Sequence, residues 1–243
     1  TPEVVPEIKN GLIQKRKIFN YKPSGLAGIV FNANKKPFDN IEMRKAFIHL
    51  WNVDELLAQL FFDEYDKCKS YFMGSVYQNY NAPVLEYDPS KAIKILNDLG
   101  WTKKTGEQWM RNSKGDILEI DFELTQSWDR IMLPYKENLE KYGIKLNLLH
   151  VLPQKAFENK MAKEFIIGYA GWTGLFFPNP KGMMHSKFGG PTTLETTNFT
   201  GMANPKIDSL LDLYYTEYDV NKRVELLHEI DYLAVADYHY GFG

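Results

Sequence analysis

Apolar positions recur along this chain with two distinct periods, and each period predicts a different element. Residues 25–32 (GLAGIVFN) are short, apolar and ended by polar residues, which predicts a buried strand. A helix is predicted from Asp39 or Asn40, either able to accept from first-turn amides, with Met43, Ala46, Phe47 and Leu50 on one face. Asn52 predicts a second cap, with Val53, Leu56, Leu57, Leu60 and Phe61 turned inward. Asp88-Pro89 opens the clearest helix: Ala92, Ile95, Leu96 and Leu99 form its stripe and Gly100 its left-handed stop.

The period then changes to two. Leu118, Ile120, Phe122 and Leu124 alternate with Glu119, Asp121 and Glu123, predicting a strand over 117–124 with one wet face. Residues 109–111 are expected to pair with it across a turn at 112–115. A helix over 129–142, ended by Gly143, a strand over 145–151, a helix over 154–163 and a strand over 165–169 complete a β-α-β-α-β series. Alternation of this kind predicts an α/β chain with α+β character, a mixed sheet with helices packed on it. Asn204-Pro205 starts one closing helix, with Ile207, Leu210, Leu211 and Tyr214 inward, and residues 220–238 form the last.

Three stretches carry neither period. Residues 1–24 read as a solvated edge or linker, with a small basic cluster at Lys15, Arg16 and Lys17 and a turn at Lys22-Pro23-Ser24. Residues 68–85 hold Tyr71, Phe72, Tyr77 and Tyr80, and a long aromatic loop on a compact domain is often a binding surface. Residues 172–200, rich in Gly and Pro from Pro178 to Gly190, read as a structured loop.

Composition removes several classes. At 243 residues, 44% hydrophobic and 25% charged, the chain has room for a sizeable core and is neither disordered nor fibrous. A net charge of −2 sets up no general field for nucleic acid or anionic membrane, so no nucleic-acid partner is expected. The longest apolar stretch, residues 25–31, falls well short of the roughly 20 residues a bilayer-spanning helix needs. One cysteine, Cys68, excludes an internal disulfide and a Cys-based zinc site.

Reactive chemistry is not signalled. The five histidines are scattered without the H-x-x-x-H spacing that puts two ligands on one helix face, and there is no nucleophile elbow or phosphate loop. Glu225, His228 and Glu229 read as a solvated acidic face, Asp121 and Glu123 point to water, and Cys68 reads as an inert thiol. The expectation is a chain without catalytic residues, metal or cofactor. A hydrolase would require a serine or threonine hydroxyl bonded to one of the histidines.

Aromatic residues make up 14% of the chain and concentrate in loops. Residues 168–180 (GYAGWTGLFFPNP) are expected to end a core strand and turn abruptly. Glycines there let a ligand backbone approach, and Trp172, Phe176 and Phe177 offer flat apolar surface. Two readings stay open on this chemistry: the rings line a pocket, or they plug the core under a loop.

The order of motifs resembles that of the bacterial extracellular solute-binding proteins of family 5, the dipeptide and oligopeptide receptors of ABC importers. Phe31-Asn32, Lys36-Pro37-Phe38-Asp39-Asn40 and Met43-Arg44-Lys45-Ala46 come first; Tyr87-Asp88-Pro89-Ser90-Lys91-Ala92, Leu99-Gly100-Trp101 and Gly143-Ile144 follow. Gly171-Trp172 with Pro178 and Pro180, then Asn204-Pro205 and Asp208, complete the series, so the likeness runs over residues 25–240. Ser70-Tyr71-Phe72, residues 172–180 and residues 198–201 are most similar to the branch that takes microcin C and peptides. The resemblance implies one lobe of a type II periplasmic-binding-protein fold. Residues 1–24 would be the crossover from a missing N-terminal lobe of the same protein, and residues 25–243 the C-terminal substrate-binding lobe. It implies a peptide ligand, ABC permease subunits as membrane partners, and a periplasmic or lipid-anchored location.

The ligand-binding residues implied are Gly171, Trp172, Thr173, Gly174 and Leu175, supported by Phe176, Tyr71, Phe72 and Asn198. Glycines and Thr173 would meet peptide backbone, rings would stack, and Asn198 would hydrogen-bond an amide. Leu175 stands where many peptide receptors of the family carry an Asp that pairs with the free ammonium, which implies a blocked or modified peptide. A metal chelate, a sugar oligomer or an opine is the alternative ligand. An isolated lobe, with half the contacts, is expected to bind peptide at millimolar strength or not at all.

Overall fold

The computed structural model describes residues 5–14, 16, 18, 22–62 and 64–243. Lys15 and Lys17 of the basic cluster lie outside the described residues. After a single-turn helix α1 (Pro6–Lys9), the elements run β1 (Leu26–Phe31), α2 (Ile41–His49), α3 (Val53–Phe61), α4 (Pro89–Asp98), β2 (Glu119–Leu124), α5 (Asp129–Lys141) and β3 (Lys145–His150). Then come α6 (Pro153–Met161), β4 (Ile167–Trp172), α7 (Lys181–Met184), α8 (Pro205–Thr216), α9 (Val220–Ala236) and β5 (Tyr240–Phe242). The expected caps Asn40, Asn52, Asp88 and Asn204 each accept first-turn amides with a side-chain oxygen, and Asp219, not foreseen, does the same for α9. No helix among the described residues is long and apolar enough to cross a membrane.

The five strands form one mixed sheet in the order β3-β2-β4-β1-β5. β2 runs parallel to both β3 and β4, and β1 runs antiparallel to β4 and β5. One end of the sheet therefore collects the last residues of β2, β3, β4 and β5 together with the first residue of β1. Helices cover both faces. Ile29, Phe31, Phe122 and Ile167 pack on one face against Phe47, Leu96, Met132 and Leu139 from α2, α4 and α5. Leu26, Val30, Tyr240 and Phe242 pack on the other against Leu211, Tyr214, Leu227 and Ile230 from α8 and α9. β1 is buried on both faces, which is why residues 25–31 are apolar without alternation.

Four local expectations are corrected. Residues 109–111 meet 117–118 as expected but form no strand: Arg111 makes isolated bridges to Thr102 and Ile117, the Met110 carbonyl accepts the Leu118 amide at 2.9 Å, and the Met110 amide donates instead to the Gly143 carbonyl at 2.7 Å. β4 does not stop at Tyr169; Gly171 pairs with Ala27 and Trp172 with Leu26, so these residues are still strand and the turn begins after them. Residues 240–242, without a strand signal of their own, form edge strand β5, closed off by the Trp51 indole N–H on the Phe242 carbonyl and the Cys68 amide on that of Gly243. Glu123 is half-buried beneath α6 and takes a 2.8 Å bond from Asn159, so only Glu119 and Asp121 face water fully.

His239, between α9 and β5, is 3% exposed. Burial, reinforced by the nearby Arg44 cation, holds its pKa well below the ordinary 6.5. The folded chain keeps this imidazole neutral where the unfolded chain takes up a proton. Its stabilisation is therefore complete above about pH 6.5 and is lost as pH falls, at up to ~1.4 kcal/mol per pH unit for one proton. Burial pushes the Asp231 and Asp237 carboxyls up, so their effect has the opposite sign and sets in nearer the carboxylate range. We expect the urea midpoint to drop between pH 6.5 and 5.5, and His239→Gln to flatten that limb; an equal slope in the variant would contradict this assignment.

Candidate ligand-binding site

At the end of the sheet where β1 begins and β4 stops, a cavity of about 230 Å³ opens to the surface. Its first wall is the chain entering β1, Pro23 to Leu26; its second is Tyr71, Phe72 and Ser75; its third is Trp172 to Leu175. Pro178, Asn179, Pro180, Met183 and Thr197 shape the mouth. None of these residues is Asp, Glu, Lys, Arg or His. Glu64 and Asp66 border a separate shallow depression that shares Ser24, Gly25, Leu26 and Trp172.

Glycine is required where the first and third walls touch. A Cβ on Gly25 would collide with the Trp172 carbonyl, and one on Gly174 with the carbonyls of Pro23 and Ser24. These glycines bring the chain against itself, which replaces the expectation that Gly174 serves close approach by a ligand backbone. Trp172 is fixed in position before any ligand arrives. Its Nε1–H donates to the Tyr240 hydroxyl at 2.7 Å, and its ring lies nearly parallel to Phe199, 5.8 Å between centroids. Tyr214 on α8 donates its hydroxyl to the Pro178 carbonyl at 2.8 Å and anchors the far side of the loop.

The structure gathers six of the nine expected residues around this space: Tyr71, Phe72, Trp172, Thr173, Gly174 and Leu175. Gly171 is exposed one position back in β4, outside the lining. Phe176 is 57% exposed and Phe177 84%, so they form the outer tip of the loop rather than the cavity. Asn198 is corrected. It is fully buried; its Nδ2 donates to the carbonyls of His185 and Met202, and its Oδ1 accepts from the Met202 amide. With its carboxamide engaged in the chain's own turn, it lies outside the lining and has no free group for a ligand amide. Pro23, Ser24, Ser75, Asn179, Met183 and Thr197 went unrecognised in the sequence. Pro23 and Ser24 lie in the turn at Lys22-Pro23-Ser24, and Ser75 and Asn179 lie in stretches marked by their rings, but none of these signals says what the residue faces.

Chemistry elsewhere is structural. Ser186 Oγ donates to the Asp208 carboxylate, whose other oxygen accepts the Ser186 amide and lies 3.3 Å from His185 Nδ1. The carboxylate, not the imidazole, holds the hydroxyl, and this cluster ties residues 185–188 to α8. Among the described residues no serine or threonine hydroxyl is hydrogen-bonded to a histidine. Glu229 pairs with Lys206, and His228 Nε2 meets the Val76 carbonyl at 2.7 Å, so these two are engaged in structural contacts. Cys68 is buried, and loss of solvation pushes its thiol pKa up, away from the reactive thiolate.

The mixed five-stranded sheet with helices on both faces and an opening at one strand end has the fold of the type II periplasmic binding proteins. Residues 2–195 match the family described as bacterial extracellular solute-binding proteins, family 5 Middle, and the chain belongs to that family. It is 22% identical over 271 residues to the probable peptide-binding protein YejA of Agrobacterium fabrum, covering 96% of this chain and 44% of that one. The oligopeptide-binding protein AppA of Bacillus subtilis, solved with a nonapeptide, superposes with a TM-score of 0.82 at 18% identity, over 98% of this chain and 48% of that one. A mannohexaose-bound oligopeptide-binding protein of Thermotoga maritima superposes at 0.77 and 20% identity, over 98% and 47%. The chain thus spans less than half the length of these proteins.

Proposed function

We propose that this chain is the C-terminal lobe, residues 25–243 with residues 1–24 as crossover, of a periplasmic or lipid-anchored peptide receptor serving an ABC importer. A second lobe closes over a peptide bound at the strand ends, and the closed form is presented to the permease. The observation that carries this reading is the uncharged cavity at the sheet end from which the chain enters β1. Its lining of rings, main chain and the hydroxyl-bearing residues Ser24, Tyr71, Ser75, Thr173 and Thr197 suits a neutral part of a peptide. A bare ammonium there would lose several kcal/mol of hydration without a counter-charge. The ligand is therefore an N-blocked or modified peptide. A metal chelate is disfavoured because the lining has neither Arg nor His to hold it.

The test is competition on the full-length protein between N-formyl-Met-Leu-Phe and the same tripeptide with a free amine. We expect the formylated form to bind at least tenfold more tightly, about 1.4 kcal/mol. Clear preference for the free amine would overturn the assignment of a blocked terminus to this cavity.

A further inference from the structure

The second wall of the cavity, Tyr71, Phe72 and Ser75, lies in a segment without regular structure, and one carboxylate organises it. Asp231, in the middle of α9, is fully buried. It accepts the Tyr71 amide on Oδ1 at 3.0 Å, and on Oδ2 both the Ser70 hydroxyl at 2.7 Å and the Asn79 amide at 2.8 Å. Ser70 Oγ in turn accepts the Phe72 amide at 2.8 Å. Three backbone amides at both ends of the 70–79 loop thus depend, directly or through one hydroxyl, on a single side chain. Asn79 Nδ2 adds a bond to the His228 carbonyl, one turn earlier in α9.

A carboxylate buried in a helix interior is costly, and here amides and a hydroxyl, not a cation, compensate it. An apolar residue at this position would pack the helix at lower cost. Tyr71 supplies a second, independent observation. Its ring sits 5.4 Å from Tyr240 and 5.5 Å from Phe242, yet its buried hydroxyl has no hydrogen-bond partner. No hydroxyl bond holds this wall residue, so its amide bond to Asp231 is the polar link that places it.

We propose that Asp231 is a positioning residue for the ligand cavity, fixing the Tyr71–Phe72 wall from behind although it does not line the space itself. This rests on the reading of the cavity as the ligand site. Preorganisation is the physical gain: a wall already held in place spares the ligand the entropy of ordering it.

The test is Asp231→Asn in the full-length protein, which keeps the shape but sets an NH₂ against groups that are themselves donors. Amide exchange at Tyr71, Phe72 and Asn79 is expected to speed up at least tenfold, with α2 and α5 unchanged. Affinity for N-formyl-Met-Leu-Phe is expected to fall at least tenfold. Ser70→Ala, a milder change that guards against a variant that fails to fold, should give the same pattern at smaller amplitude. Unchanged exchange over 70–79, or faster exchange with unchanged affinity, would overturn the proposal. If the wild-type protein binds no such peptide, the function proposed above falls; exchange then decides the role of Asp231 alone, local acceleration sustaining it and its absence refuting it.

Discussion

Gly25→Ala is expected to destabilise the protein by more than about 4 kcal/mol, a size reserved for a few mechanisms, overpacking against fixed backbone among them. The added methyl would meet the carbonyl carbon and oxygen of Trp172 and come within 3.1 Å of the Gly174 amide nitrogen. Neither neighbour can rotate aside. Trp172 is held in the β1–β4 ladder opposite Leu26, and its indole is bonded to Tyr240. Relief would require β1 and β4 to separate at the end where both wall the cavity, so binding should fail with stability. Gly106→Ala is the control: nothing lies within 4 Å of its Cβ, and its cost is the left-handed backbone alone (φ +86°), roughly 1–2 kcal/mol. Urea unfolding of both variants in the full-length protein measures the difference, and equal midpoints would contradict the packing argument.

Trp172→Ala is expected to lower affinity for the formylated tripeptide by about a hundredfold, the range of a central aromatic contact. The ring forms a cavity wall, and its loss also uncovers Phe199 and leaves the buried Tyr240 hydroxyl without its donor. Trp172→Phe separates these effects. It keeps a flat apolar surface and loses only the Nε1–H bond, so a loss of about tenfold is expected. Titration calorimetry on the full-length protein reads both. Affinity unchanged in Trp172→Ala would move the ligand away from this cavity.

Local order was legible because its causes lie within a few residues of one another. Asn40, Asn52, Asp88 and Asn204 cap amides two or three positions on, and Gly100 and Gly143 take the left-handed conformation that stops α4 and α5. The inward faces of α2, α4 and α8 follow directly from their spacing. β5 was not legible: three residues with a central glycine carry no period, and only pairing with β1 makes them a strand. Glu123 misled for a related reason, since alternation says which side of the strand it occupies but not that α6 covers it.

The site was half legible. The residues after β4 showed themselves as glycines and rings in one short stretch, but whether each ring faces a cavity, the core or solvent is settled by partners far along the chain. Trp172 is placed by Tyr240, 68 positions away, and Phe177 has no such partner and stays outside. Asp231 makes the point most sharply, since a carboxylate in a helix turns inward to hold backbone 160 positions away. The amino-acid order by itself therefore determined which segments are helix and strand and which face of each is apolar, because those properties depend on short-range hydrogen bonds and spacing. Only the tertiary structure decided which walls meet around an uncharged cavity and what holds them there, because contacts across 50 to 160 residues leave no periodic trace in the chain.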